Sequence, residues 1–174
     1  MNTFVIGDTH FGHTNICKFL NFDGSKVRPW DDVNEMDEAM VKNWNDTVRA
    51  CDKVYHLGDV AMAKKNLVIL SRLNGKKVLI KGNHDIYELK DYVKYFKDVR
   101  GTHKFSNFIL SHMPIHPDSL TNKWCEGNIH GHMHGRVVMI GDKEDYRYFN
   151  ASVERINYTP IAMEEVFKRM RANK

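Results

Sequence analysis

Apolar residues in this chain fall into short, dense runs that alternate with stretches where they recur every third or fourth position. Residues 3–7, 53–57, 77–81, 105–111, 128–131, 137–140 and 146–152 are expected to be strands. Several of these are near-continuous apolar runs, as a strand covered on both faces requires. Asn34 is suited to cap a helix in which Met36, Met40, Trp44 and Val48 recur every fourth residue. A second helix is expected to carry Ala63, Leu67, Leu70 and Leu73 and to stop at Asn74-Gly75, a pair suited to a helix C-terminus. Residues 88–97 and 163–172 are further helix candidates. Early βαβα order followed by a run of strands predicts an α/β protein with helices outside and sheet inside. No repeat, low-complexity stretch or Pro/Ser-rich linker interrupts residues 1–174, so a single domain is expected.

Composition narrows the class. With 42% hydrophobic and 28% charged residues, the chain has the material for a proper core, which excludes disorder, collagen-like repeats and coiled coil. Twenty-six Lys and Arg against twenty-two Asp and Glu leave +4. That excess suits a phosphate-bearing ligand and is too small to argue for wrapping a nucleic acid. Cys17, Cys51 and Cys125 are scattered, with no C-x-x-C pair, which argues for a reducing compartment and against a disulfide framework or thiolate zinc site. Met1 to Ile6 lacks a basic leader, Asp8 and His10 break the apolar stretch, and no run is long enough to span a bilayer. A cytoplasmic protein with no membrane partner is expected.

The informative pattern lies where strands are expected to end. Gly7-Asp8-Thr9-His10, Gly58-Asp59, Gly82-Asn83-His84-Asp85, Ser111-His112 and Gly131-His132-Met133-His134 each follow one. In open α/β sheets, side chains from different strands converge just beyond the carboxyl ends. A glycine ahead of the functional residue lets the backbone turn sharply. Asp, Asn and His together are oxygen and imidazole donors suited to Mn, Fe, Ni, Co or Zn. Asp8, His10, Asp59, Asn83, His112, His132 and His134 are too many for one tetrahedral ion and fit two divalent ions. Asp59 is the natural bridge, because a carboxylate shares two cations better than an amide does. Two ions about 3.5–4 Å apart can hold a bridging hydroxide while clamping the oxygens of a tetrahedral ester. His84, beside Asn83, is placed to protonate the leaving oxygen.

The order D-x-H, G-D, G-N-H-D, S-H, G-H-x-H resembles the calcineurin-like metallophosphoesterase superfamily, and it runs from Gly7 to His134. Asp8 to Ile16, Arg28-Pro29-Trp30, Asn43-Trp44-Asn45 and Tyr55 to Asp59 look like a compact branch common in bacteria and their phages. The resemblance implies a four-layer αββα sandwich. It also implies one ion on Asp8, His10, Asp59 and His134, the other on Asp59, Asn83, His112 and His132, and His84 as phosphate ligand and acid.

Outside these motifs, His13 and Asn15 are expected either to edge the substrate pocket or to orient Asp8 and His10, and Arg28 to grip a phosphate or lie on the surface. His56 is expected to be a buried, hydrogen-bonded structural residue, and His103, His116 and His130 to be structural or solvated. Lys64, Lys65, Lys168, Arg169, Arg171 and Lys174 read as solvated faces. Ser/Thr protein phosphatases of the superfamily carry an arginine after the second motif, where this chain continues Val60-Ala61-Met62. The spacings also leave no room for a cap domain. The expected substrate is a small phosphate ester such as a nucleotide, with phosphodiesterase favoured over phosphomonoesterase. The alternatives are a nuclease on DNA or RNA and a non-catalytic metal-binding scaffold.

Overall fold

The computed structural model describes residues 1–120 and 124–172, and Lys174 lies outside them. Strands β1 (Thr3–Ile6), β2 (Lys53–His56) and β3 (Lys76–Ile80) bury all but their first residues because both their faces are covered. Alternate residues point to opposite sides. Phe4, Ile6, Val54 and Leu79 share a core with Met36, Met40 and Trp44 of helix α1 (Val33–Thr47), and with Leu67 and Leu70 of the 3-10 helix Lys64–Arg72. The short helix α2 (Leu89–Tyr92) adds Tyr92 to this core. Val5, Tyr55, Val78 and Ile80 belong to a second core that faces the other way.

That second core is shared with another sheet. Strand β4 (Asp98–Arg100) completes the first sheet, and the chain then forms the hairpin β5 (Thr102–Phe105) and β6 (Phe108–Ser111). Strand β7 (Gly127–His130) follows, then the small exposed pair β8 (Met139–Ile140) and β9 (Lys143–Glu144), and β10 (Tyr148–Asn150). Phe108, Leu110 and Ile129 meet the first sheet across the shared core. Strand β11 (Ile161–Ala162) and helix α3 (Met163–Ala172) end the described chain, with Met163, Val166 and Met170 entering the same core. The first sheet runs β11-β1-β2-β3-β4 with only β11 antiparallel, and the second runs β10-β7-β6-β5 with only β5 antiparallel. The other face of the second sheet is polar. There Asn128 accepts from the Ile115 amide at 3.0 Å and Tyr148 donates to the Ile115 carbonyl at 2.7 Å, so the chain after β6 folds back over it.

The architecture is α/β, as the alternation of elements predicts. The single expected strand at 105–111 is a hairpin instead, with Ser106 at φ +53° making the turn. The helix expected at 88–97 shrinks to α2, and the segment expected as an α-helix from Ala63 winds as a 3-10 helix. Helix α1 is capped two residues earlier than Asn34: Asp32 accepts from the amides of Asn34 and Glu35 at 2.8 and 3.1 Å. Among the described residues, no helix is long and apolar enough to cross a membrane.

Candidate metal centre

Main-chain hydrogen bonds join the loops after β1 and β2 and those after β6 and β7, while the Asp85, Asp59 and Asp8 carboxylates tie in the β3 loop and connect the two pairs. The Asp8 amide donates to the Gly58 carbonyl at 3.0 Å, His10 to Asp59 at 3.0 Å, and Gly131 to His112 at 2.9 Å. The backbone is unusual here. Asp8, His10, Asp59, His132 and His134 have φ of +57°, +48°, +54°, +66° and +49°. Left-handed backbone in a non-glycine residue costs about 1 kcal/mol or more and persists only where the surroundings enforce it. Sharp turning was expected of the preceding glycines, and Gly58, at φ +90°, does turn so. Gly131 serves differently: a Cβ there would lie 2.4 Å from Asp8 Oδ2, so a side chain would displace that carboxylate.

Two groups of donor atoms result. One ligand atom each from Asp8, His10 and His134 lie within 4.8 Å of one another, and so do those of Asp59, His112 and His132. Asp59 Oδ2 sits between the groups, 3.6 Å from His10 Nε2 and 3.5 Å from His112 Nε2. Asn83 Oδ1 is 2.7 Å and His132 Nδ1 3.2 Å from His112 Nε2. The Leu57 carbonyl lies 2.8 Å from His112 Nδ1 and can only accept, so in the neutral ring Nε2 carries a lone pair. The lone pairs of His112 Nε2 and Asn83 Oδ1 then face each other beside the Asp59 carboxylate, an arrangement a cation resolves. His10 makes the same point, because both its ring nitrogens are buried without a hydrogen-bond partner. Burial, with help from the Arg28 charge, drives its pKa to about 2, so it stays neutral and able to ligate. Asp8 is pushed up to about 6 by burial, which His134 and His112 oppose.

The residues beneath this cluster hold it. Arg28 is fully buried, donating to the carbonyls of Asp8 at 2.6 Å and Thr9 at 2.8 Å and to Glu154 Oε1 at 2.9 Å. It clamps the loop after β1 from behind, which corrects both expected readings: the residue is not on the surface, and its buried guanidinium does not line the cavity to grip a phosphate. Glu154 was not anticipated. Its Oε1 also accepts from His134 Nδ1 at 3.0 Å, fixing the tautomer that leaves His134 Nε2 free. Burial alone would raise Glu154, but the His134 hydrogen bond and the Arg28 charge hold it below the ordinary value. Asp85 accepts from the amides of Asp59 at 2.8 Å, Val60 at 3.1 Å and Gly82 at 2.8 Å, tying the β2 and β3 loops together. His56 is a core residue: the Thr9 hydroxyl donates to the Val60 carbonyl at 2.8 Å and accepts from His56 Nε2 at 3.0 Å.

A cavity of about 780 Å³ opens over the cluster, lined by His10, His13, His84, His134 and Arg136 together with apolar side chains. His84 is exposed, its amide donates to Asp59 Oδ1 at 2.9 Å, and its ring centre is 5.5 Å from that of His10. His13 lines the cavity 5.7 Å from His10 and accepts from the Ile16 amide at 2.7 Å. Asn15 is exposed on the 3-10 helix Thr14–Lys18 and is not part of the lining, so it does not edge the pocket as expected. A cation on this wall is Arg136, which follows the last motif but belongs to no motif itself.

No known family profile matches this chain. It is 36% identical over 179 residues to the uncharacterized protein MJ1445 of Methanocaldococcus jannaschii, covering 98% of this chain and 92% of that protein. The Gene 66 protein of Mycobacterium phage L5 is 34% identical over 89 residues, covering 48% of this chain and 40% of that one. Among solved structures, the protein of unknown function AQ665 from Aquifex aeolicus is similar with a TM-score of 0.69 and 27% identity, covering 96% of this chain and 98% of that one.

Proposed function

We propose that this chain, which belongs to the same family as the uncharacterized protein MJ1445, is a two-metal phosphoesterase of the calcineurin-like kind. Its two facing sheets would form the inner layers of that four-layer sandwich. Asp8, His10 and His134 would hold one divalent ion, Asn83, His112 and His132 the other, with Asp59 shared. Nitrogen and oxygen donors of this mix accept Mn, Fe, Ni, Co or Zn. When bound, two such ions supply activation of water and neutralisation of the phosphoryl oxygens. The observation that carries this reading is the place of Asp59 Oδ2, about equally far from His10 Nε2 and His112 Nε2 at 3.6 and 3.5 Å.

The chain's own groups do the rest. Glu154 and the Leu57 carbonyl orient His134 and His112 so that their free nitrogens face the site. His84, exposed beside His10, donates the proton to the leaving oxygen. In the net reaction a water oxygen forms the new P–O bond, the bond to the ester oxygen breaks, and an alcohol and a phosphate with one fewer ester arm are released. Among the described residues no separate cap covers the cavity, which favours a diester or an unhindered monoester. The test is release of nitrophenol from bis(4-nitrophenyl) phosphate and 4-nitrophenyl phosphate by manganese-loaded protein. Hydrolysis should be lost with chelator and in Asp59→Asn, and faster on the diester. Turnover that ignores chelator would sink the reading.

A further inference from the structure

The cavity over the cluster has a second wall that the proposed chemistry does not use. Phe19, Leu20, Phe22, Met62 and Met133 line it, and the first four are exposed, Phe22 wholly so. Residues 19–27 form a small hairpin: Asn21 donates to Ser25 at 2.8 Å, Val27 to Phe19 at 2.9 Å, and Leu20 bridges Lys26. Phe22 stands near its tip. The rings run without a break from the cluster to this hairpin, His10 to His13 at 5.7 Å and His13 to Phe19 at 5.8 Å.

A contiguous apolar face left in water beside a polar centre marks a place where an apolar group binds. Phenyl and imidazole faces with two thioethers favour a flat ring over a branched aliphatic chain. The volume, about 780 Å³, suits a small molecule. We infer that the hairpin 19–27 is a specificity wall that selects phosphate esters bearing a flat, ring-sized apolar arm, seated against Phe19 and Phe22 while the phosphoryl group lies at the cluster. Arg136, on the same lining, is available to stack on the ring face or pair with a further anionic oxygen. The inference rests on the phosphoesterase reading for the seat of the phosphoryl group.

Calorimetric titration of manganese-loaded protein with methylphosphonate and with (naphthylmethyl)phosphonate tests it. The naphthyl ligand should bind about tenfold tighter or more, the scale of one ring stacked on an aromatic platform. The ratio should fall toward one in the double variant Phe19→Ala, Phe22→Ala, which removes two exposed side chains. Equal affinities in the parent protein, or a preference that survives the double variant, would overturn the inference. So would a double variant that changes only the sedimentation behaviour, since the hairpin would then serve self-association. Manganese-dependent binding of methylphosphonate with no gain from the ring would leave the phosphoesterase reading standing and remove this one. Binding of neither phosphonate, with or without manganese, would remove both.

Discussion

At the scale of single residues, position decides role more than chemistry does. Arg28 and His84 are both polar groups near the cluster, yet one is fully buried behind a loop and the other exposed beside His10. Arg28→Met should leave Glu154 as an uncompensated buried charge and two carbonyls without donors, at a cost of about 3–5 kcal/mol. Urea unfolding measures this, and a variant of unchanged stability with only a raised KM would restore the substrate-gripping role. His84→Ala should retain its metals and slow hydrolysis most for esters with poor leaving groups. Equal slowing for good and poor leaving groups would contradict a proton donor. The seven candidate ligands were legible because Asp, Asn and His recur at strand ends, where a fold of this class gathers side chains. Arg28 and Asn15 were not, since a loop residue's direction is set by packing that spacing does not encode. Glu154 also follows a strand, two residues after Ser152, but no glycine precedes it to flag a turn.

At the scale of elements, the loops matter as a set. Gly58 has φ +90°, and a Cβ there would fall 2.5 Å from the Gly82 amide nitrogen, so the β2 and β3 loops approach only because both are bare. Gly58→Ala should push them apart, separating Asp59 from Asn83, and weaken manganese binding at least about tenfold, given a strained backbone and displaced ligands. A manganese titration like that of the parent protein would show that the approach is dispensable. The parallel strands were readable because burial on both faces leaves solid apolar runs, and α1 because Met36, Met40 and Trp44 keep its period. The hairpin of β5 and β6 was hidden, since its turn uses Ser106-Asn107 with no glycine. Strands β4 and β11 are short edges whose pairing partners, not their own sequences, make them strands.

For the whole molecule, the metal-free fold should weaken in acid. Burial drives His10, His56 and His130 from 6.5 to about 2, about 3 and about 4, so between roughly pH 4 and 6.5 the unfolded chain takes up three protons that the native fold refuses. Burial also raises Asp8 and Asp37 from 3.8 to about 6, so over much of that range the native fold holds two protons that the unfolded chain lacks. The histidines win; Glu154, held low, acts in their sense, and its partner His134, held high by the Glu154 hydrogen bond against the pull of burial, acts against it. With chelator present, the urea midpoint should therefore be lower at pH 5 than at pH 7, whereas an equal or higher midpoint at pH 5 would mean the carboxyls dominate. The account as a whole depends on a shared carboxylate between two cations. An anomalous-difference map from crystals grown with manganese addresses that directly. It should show two peaks flanking Asp59, one among Asp8, His10 and His134 and one among Asn83, His112 and His132. A single peak, or none, would contradict it.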